Sequence, residues 1–167
     1  MSTAVEPAPV GGAEAAPPVS RMAIAVLSLV GIFVAGYLTL YKLGYLGIIQ
    51  CSTGGCETVQ ASAWSYFPPR TVAQWGPPVA LWGLGAYATL LLLALAGLQP
   101  RWSASRPLAR ALAGFSAFGV VFSGWLTYLE ATVIHAWCQW CVVSAVLITL
   151  IFLLSLDGLR ERSSSVS

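Results

Sequence analysis

Four cysteines, arranged as two closely spaced pairs, are the residues whose types and spacing could do chemistry in this chain. Cys51 and Cys56 lie in the run CSTGGCETVQAS, and Cys138 and Cys141 form a C-x-x-C in AWCQWCVVSA. Two intervening residues allow a disulfide to close, and an i, i+3 spacing places both sulfurs on one helix face. A thiol near a helix N-terminus has a lowered pKa and leaves readily, as thiol–disulfide exchange requires. The C-x-x-C is therefore a candidate redox pair.

The pair Cys51 and Cys56 has different surroundings. Gly54 and Gly55 lie between its cysteines and permit the unusual backbone dihedrals that a short disulfide ring needs. A small ring on an exposed loop adds little stability and is suited to being opened by an incoming thiolate. The two pairs together favour a relay in which a mobile couple exchanges with a fixed one.

Two other interpretations of the cysteines stay open. Either pair could be a structural disulfide in a non-catalytic membrane protein, because disulfides persist wherever thiols are not kept reduced. All four could instead belong to a metal-binding or metal-transport protein, since C-x-x-C is a common zinc half-site. The C-x4-C spacing of the other half and the position of one pair at the membrane boundary argue against zinc, so we predict no metal site.

The elements that position these cysteines are strongly apolar. Hydrophobic residues make up 57% of the 167 positions and charged residues 8%, against about 25% charged residues in a soluble domain. A bilayer span needs about 20 apolar residues, and inside hydrocarbon it must be helical. Four stretches are close to this length, at 22–43, 76–98, 108–135 and 138–156. The sequence therefore predicts an all-α membrane protein, a bundle of four transmembrane helices in contact with membrane lipid.

The basic residues predict an orientation. Six arginines flank one end of the helices, and only Lys42 and Arg70 flank the other. Cytoplasmic loops carry the excess of Lys and Arg, so both termini are placed in the cytoplasm. The outer loop, residues 44–75, and the turn near His135 then face outward with all four cysteines. The small net charge of +2 gives no indication of nucleic-acid binding.

The composition also divides the chain into a membrane domain and two tails. Residues 1–20 are rich in Ala and Pro, and residues 159–167 are rich in Ser. Such segments bury too little apolar surface to fold, so both are predicted to be disordered. The membrane domain is predicted at 21–158.

A relay needs a final electron acceptor. No G-x-G-x-x-G follows a predicted strand, and Val142 after the C-x-x-C breaks the C-x-x-C-H of a haem attachment site. The remaining acceptor is one that dissolves in the bilayer, a quinone such as menaquinone or ubiquinone. It could reach the C-x-x-C among Trp137, Trp140 and the small residues of GLGAY, at 83–87. Boundary tryptophans are more often belt residues than cofactor ligands, so the quinone is inferred mainly from the chemistry.

The combined pattern resembles the vitamin K epoxide reductase family, and its bacterial branch most. The resemblance covers roughly residues 22–156. It rests on four helices, the pair in CSTGGCETVQAS, a serine six residues after its second cysteine (Ser62), the run PPVALWGLGAY opening the second helix, and YLEATVIHAWCQWC joining the third helix to the fourth. DsbB-type proteins do similar work but carry the two kinds of cysteine pair in the reverse order.

The resemblance implies a mechanism. Cys51 would exchange with the cysteines of a partner protein, Cys56 would attack Cys138, and Cys141 would be released as a thiolate that reduces the quinone. The partner would be a separate exported thioredoxin-like or DsbA-like protein. The membrane would be a bacterial inner membrane, with the cysteines on its periplasmic face. Ser62 would lie on a short interfacial helix of the outer loop, within hydrogen-bonding reach of a quinone oxygen.

The predicted quinone site comprises Ser62, Trp137, Gly83, Val79 and Ala145. Vertebrate members of the family have an asparagine near the position of Val79 and a tyrosine near that of Ala145, and neither polar group is present here. Those groups are associated with vitamin K, so epoxide reduction is the less expected activity. The C-x4-C spacing is also shorter than is usual in the family.

Two ionisable residues near the C-x-x-C have alternative roles. His135 lies one turn before Cys138 and could accept a proton or be an ordinary boundary histidine. Glu130 is costly if it faces lipid, so it should face the bundle or the interface. There it could assist proton transfer or only support packing.

Overall fold

The computed structural model describes residues 19–72, 76–103 and 105–164. Most of the predicted N-terminal tail and the last three residues, 165–167, lie outside this described part. The predicted tails therefore stay predictions.

Four long helices account for most of the described residues. They are α1 (Val19–Lys42), α3 (Val79–Leu98), α5 (Arg106–Leu129) and α6 (Gln139–Ser164), and the short helices α2 (Cys56–Ala61) and α4 (Pro100–Ser103) lie between them. The four long segments contain windows of mean hydropathy from 1.4 to 2.4 and are long enough to cross a bilayer. The predicted all-α membrane bundle is confirmed. Helix α6 continues to Ser164, beyond the expected end of the membrane domain at residue 158.

Proline and glycine mark several helix boundaries. Gly44 follows α1 with a positive φ of 82°, a conformation that glycine adopts without steric cost. Pro78 immediately precedes α3, and Pro107 lies in the first turn of α5, where its missing N–H costs nothing. These residues fix where the connections between the long helices start and end.

The end of α5 is irregular. A π-helical turn, Glu130–Ile134, extends the helix, and His135 then adopts the left-handed conformation with φ 53° and ψ 35°. The N–H of Ala136 donates to the Glu130 carbonyl over 3.2 Å. Both a π-turn and a non-glycine residue at positive φ are uncommon, and both occur preferentially at functional sites. The reversal places Cys138 directly before α6.

Close helix contacts hold the bundle together. Helix α1 packs against α3 and α6, and α5 packs against α6. The ring of Tyr87 lies on Gly31, where a Cβ atom would be 2.3 Å from Cδ1, and Ile148 lies on Gly119, where a Cβ would be 2.7 Å away. Small residues at such crossings let membrane helices approach closely, which is their main source of packing energy in lipid.

The outer surface of the bundle is apolar, whereas several polar side chains inside it form hydrogen bonds. Phe33, Phe118 and Val121 are each more than two-thirds exposed, as expected for side chains that face lipid tails. Inside, the Tyr87 hydroxyl donates to the Ser144 carbonyl over 2.9 Å. This distribution is the inverse of that in a soluble bundle.

Residues 43–72 and 76–78 form a cap over one end of the bundle. The cap contains α2, in agreement with the predicted short helix of the outer loop, followed by a 3-10 turn at Ala63–Ser65. Tyr66 and Pro78 then pair in a single antiparallel bridge that leads into α3.

Lys42, the last residue of α1, binds the C-terminal end of α2 and the part of the cap that follows it. Its ammonium donates to the Gln60 carbonyl and, over 2.7 Å, to Ser65 Oγ. It also lies 4.3 Å from the centroid of the Tyr66 ring, and the Arg70 guanidinium lies 3.8 Å from that centroid. These cation–π contacts and hydrogen bonds fix the C-terminal end of α2 to the end of α1.

Candidate active site

All four cysteines lie at the capped end of the bundle. Cys56 and Cys138 are fully buried in one apolar cluster. Cys51 and Cys141 are partly buried and pack against the edge of that cluster. The structure therefore brings the two predicted pairs together, although Cys56 and Cys138 are 82 positions apart in the sequence.

The loop pair forms a disulfide whose two sulfurs differ in exposure. Cys51 and Cys56 are bonded, with their Cα atoms 5.9 Å apart. Gly54, inside the ring, has a positive φ of 70°, which is the unusual backbone dihedral predicted for this turn. Cys51 is partly exposed, whereas Cys56, the first residue of α2, is completely buried. A thiolate arriving from solvent can therefore reach Cys51 but not Cys56.

The disulfide loop is docked on the residues that flank Cys138. The Thr53 hydroxyl donates to the Trp137 carbonyl over 2.9 Å, and the Ser52 N–H donates to Gln139 Oε1 over 2.8 Å. Gly55 lies so close that a Cβ atom there would be 2.5 Å from the Trp137 carbonyl oxygen. Only glycine permits this approach of the two backbones.

The start of the loop is held by α1 and α6 together. The Trp140 indole N–H donates to the Gln50 carbonyl over 2.8 Å, and the Gln50 N–H donates to the Tyr37 hydroxyl over 3.0 Å. The Tyr37 and Trp140 rings are 5.2 Å apart and tilted against each other. Trp140 thus links the helix that carries the C-x-x-C to the loop that carries the disulfide.

The helix pair is present as two thiols, Cys138 and Cys141. The pKa of Cys138 is lowered to about 7, chiefly by the hydrogen bond with the Cys141 side chain, and the N–H groups of Cys141 and Trp140 at the start of α6 act in the same direction. Burial and the nearby Glu130 carboxyl act in the opposite direction. The pKa of Cys138 therefore shifts in the direction that the helix N-terminus predicts, and the thiolate is available near neutral pH.

Glu130 is the acidic neighbour of this pair. Its side chain is 3% exposed, and its Oε2 accepts a hydrogen bond of 3.1 Å from the Cys138 N–H. Its carboxyl group also interacts with the Cys141 side chain. Glu130 therefore faces the bundle interior, whereas His135 is exposed on the turn.

The sequence comparison agrees with this geometry. A model of the vitamin K epoxide reductase family matches residues 22–156, which is most of the chain. The chain belongs to the vitamin K epoxide reductase family. This confirms the resemblance found in the sequence, and it makes the protein a membrane disulfide oxidoreductase. Members of this family are generally linked to a quinone and to a thioredoxin-like partner.

Two of the predicted quinone-site residues of this family member lie close to the cap. Ser62 follows the last residue of α2 instead of lying within it, and its hydroxyl donates to the Val59 carbonyl over 2.8 Å. The Trp137 side chain is half exposed next to Cys138. Their part in quinone binding stays a prediction.

The other three predicted quinone-site residues lie on the membrane helices. Val79 is the first residue of α3 and Ala145 lies one turn after Cys141, and both are half-buried. Gly83 faces α1, where a Cβ atom would be 3.8 Å from the Ala35 methyl group. Whether these positions contact a quinone stays a prediction as well.

Several residues that hold the site together were not singled out in the sequence. Thr53, Gln139, Gln50 and Tyr37 make the contacts that dock the loop. The available signal was weak, because Thr and Gln beside a cysteine look like ordinary loop residues. In the part of the chain that the structure describes, which includes all four cysteines, no group of three or more His, Cys, Asp or Glu side chains could hold a metal ion.

Proposed function

We propose that this protein oxidises the dithiol of an exported thioredoxin-like or DsbA-like partner and passes the electrons to menaquinone or ubiquinone. The observation that carries the proposal is the arrangement of the loop disulfide. A reachable Cys51 is bonded to a Cys56 that is buried in the same cluster as Cys138. Electrons entering at the accessible sulfur therefore have a short route to the helix pair.

The first exchange takes place at the edge of the cap. A partner thiolate attacks the sulfur of Cys51, and the Cys51–Cys56 bond breaks with Cys56 leaving as a thiolate. The second partner thiol then displaces Cys51, so that the partner gains a disulfide and the loop gains two thiols. Attack at Cys51 is favoured because it is the accessible sulfur of the two.

The second exchange takes place inside the cluster. With the helix pair oxidised, the Cys56 thiolate attacks Cys138 and releases Cys141. Cys51 then attacks the Cys56–Cys138 bond, which restores the loop disulfide and leaves two thiols on the helix. This is the redox state of the structure, in which the loop is oxidised and the helix pair is reduced.

The last exchange leaves the protein. Cys138 and Cys141 give two electrons to the quinone and return to the disulfide, and the quinone takes up two protons to become the quinol. Ser62, Trp137, Val79, Gly83 and Ala145 are the residues proposed to bind the quinone. We place this chemistry on the periplasmic side of a bacterial inner membrane with both termini in the cytoplasm, because the end of the bundle that bears the cysteines carries few basic residues.

The decisive experiment combines the purified protein with a quinone and a reduced thioredoxin-like protein. Quinol should form in proportion to the partner disulfide. The Cys138→Ser variant should stop quinone reduction, while Cys51 and Cys56 still exchange with the partner. Asp157→Asn, an exposed acid on α6 remote from the cysteines in sequence, is the matched control and should behave like the parent. Normal quinone reduction by Cys138→Ser would refute the assignment of the helix pair.

The order of the relay has its own test. Cys51→Ala should leave Cys56 unpaired, and a Cys56–Cys138 disulfide should accumulate in peptides analysed by mass spectrometry under non-reducing conditions. If this bond is absent under all redox conditions, the relay order is wrong. Disulfides that never exchange would instead favour a structural role, and stoichiometric metal with reduced cysteines would favour a metal-binding protein.

Topology is tested separately with an impermeant thiol reagent. In reduced inverted and right-side-out vesicles, Cys51 should react only from the face proposed to be periplasmic. Labelling of Cys51 from the cytoplasmic face would overturn the proposed orientation.

A further inference from the structure

Glu130 is a carboxyl group in direct contact with the reacting cysteines, and the exchanges described above do not use it. Its side chain is 3% exposed at the outer end of a membrane helix. Burying a carboxyl group in such a place is costly, and intramembrane acids are commonly functional. The backbone around it is also unusual, since Glu130 begins the π-helical turn that ends at the left-handed His135.

The contacts of Glu130 indicate that it can accept the thiol proton of Cys141. Its Oε2 accepts the N–H of Cys138 over 3.1 Å, which leaves the carboxyl group facing the C-x-x-C. The Cys141 side chain interacts with both the Cys138 sulfur and the Glu130 carboxyl group. The single thiol proton of Cys141 therefore has two acceptors, and one of them can carry it away from the sulfurs.

We propose that Glu130 accepts the thiol proton of Cys141 when the helix pair is oxidised and delivers it to the reduced quinone. This inference rests on the proposed quinone reduction. Glu130 is then a catalytic residue, because its carboxyl group touches a reacting atom.

The step balances in electrons and protons. It starts from a Cys138 thiolate, a Cys141 thiol, a Glu130 carboxylate and a quinone. The S–H bond of Cys141 breaks and its proton moves to Glu130, the two sulfurs join, and two electrons pass to the quinone. The quinone takes one proton from Glu130 and a second from solvent, which gives the disulfide, the quinol and the original carboxylate.

Other ionisable groups around Glu130 are differently placed within the described part of the chain. On α2, Cys56 is held in the disulfide and Glu57 is exposed. On α1, Lys42 is engaged with the cap at Gln60. His135, on the turn itself, is exposed. The titrations that bear on this step are therefore those of Glu130 and the two helix cysteines.

Glu130→Gln separates proton transfer from structure. The amide keeps the size of the side chain and an oxygen that can accept the Cys138 N–H, but it cannot take up a proton. Because the nearby carboxyl group raises the pKa of Cys138, its loss should lower that pKa below the value of about 7 in the wild type. The variant should thus hold more thiolate at neutral pH and nevertheless reduce quinone more slowly.

The two readouts are measured on the full-length protein in detergent or nanodiscs. The ultraviolet absorbance of the thiolate is titrated with the loop disulfide intact, and quinone reduction by the pre-reduced protein is followed in a single turnover. We expect Glu130→Gln to lower the single-turnover rate by about 100-fold or more, within the range for a lost general base. When the single-turnover rate is plotted against pH, the wild type should show one ionisation on the acid side that Glu130→Gln lacks. Glu130→Asp should recover part of the rate, and the control Asp157→Asn should match the wild type.

Each outcome decides the matter. If Glu130→Gln shows more thiolate and an equal or faster rate, Glu130 is only an electrostatic or packing group and the proposal fails. If Glu130→Gln is misfolded, its loop disulfide will react with a soluble dithiol at a rate different from that of the wild type. In that case the proposal is tested with Glu130→Asp, through the pH dependence of its rate of quinone reduction. If the wild type itself reduces no quinone, the proposed function fails, whereas a slow Glu130→Gln with an active wild type supports both.

Discussion

Replacing Gly55 by alanine tests whether the docked loop is the route for electrons. Gly55 has φ −93° and ψ −7°, a conformation that any residue adopts, so alanine causes no backbone strain there. Its new methyl group would lie 2.5 Å from the Trp137 carbonyl oxygen and 2.8 Å from the Trp137 nitrogen. Both atoms belong to the backbone and cannot rotate aside.

The geometry sets the size of the effect. Ordinary contact starts at 3.4 Å, so the loop must withdraw by the difference between 3.4 and 2.5, about 0.9 Å. Overpacking of this kind costs about 1–3 kcal/mol. If that cost falls on docking, the equilibrium between the docked and undocked loop shifts by about 5- to 150-fold. The effective concentration of Cys56 at Cys138 should fall by the same factor.

The assay uses the Cys51→Ala background, in which Cys56 can bond only to the helix pair. The equilibrium constant for the Cys56–Cys138 disulfide is measured against a glutathione redox buffer by mass spectrometry of peptides. Gly47→Ala is the matched control, because a Cβ atom at this glycine of the same loop has no neighbour within 4 Å. Equal constants for Gly55→Ala and Gly47→Ala would refute the idea that this contact positions the loop.

Three further predictions concern docking, titration and packing. Thr53→Val should weaken loop docking by about 0.5–1.5 kcal/mol, because it removes one hydrogen bond, and Thr53→Ser should restore it in the same redox assay. With the helix pair reduced, the pKa of Cys138 is about 7, below the ordinary thiol value of 9.0. The Cys138 thiolate therefore contributes fully to the free energy of unfolding above about pH 9, and this contribution is lost as the pH falls through about 7. Cys141→Ala should move the thiolate midpoint upward by removing the main cause of the shift, which absorbance titration and unfolding at several pH values can check. Gly31→Ala should lower stability by about 1–3 kcal/mol in thermal unfolding, because its methyl group would lie 2.3 Å from a tyrosine ring of α3. The control Gly36→Ala should change stability little, because the nearest neighbour of its methyl group would be 4.0 Å away.

The bundle could be predicted from the sequence because a bilayer leaves few choices. An apolar stretch of about 20 residues must be a helix if its backbone amides are to be satisfied in hydrocarbon. The proline before α3 and the glycine after α1 then place the boundaries within a few residues. Cysteine spacing and the family motifs indicated which end of the bundle carries the chemistry.

The docking of the loop could not be predicted in the same way. Two of the acceptors are the backbone carbonyls of Trp137 and Gln50, and every residue type offers such a carbonyl. The position of Gly55 depends on the same backbone contact, so the sequence shows a flexible turn but not the surface on which it lies. Side chains like Thr53 carry information only when the partner backbone is known.

Glu130 lies between these two cases. The cost of a carboxylate in lipid predicts that it faces inward, and it does. Its bond to the Cys138 N–H depends on the π-helical turn, and the run EATVI has no proline or glycine to indicate such a turn. The inward orientation of Glu130 could be predicted from the cost of placing a carboxylate in lipid. Its hydrogen bond to Cys138 could not, because it depends on the irregular turn at the end of α5.

The fastening of the cap to Lys42 decides which part of the disulfide loop has to move. Helix α2 begins at Cys56 and is held at its far end by the last residue of α1, so α2 stays attached to the bundle when residues 43–55 and the adjoining Cys56 shift. Residues 43–55 carry Cys51, and Thr53 and Ser52 bind Trp137 and Gln139, at the start of α6, through hydrogen bonds that water can replace. A partner protein can therefore draw Cys51 away from Cys56 while α2 continues to cover the buried Cys138. In the proposed relay, the Cys56 thiolate would thus form at a buried position, away from peroxides and other small oxidants in the surrounding solvent.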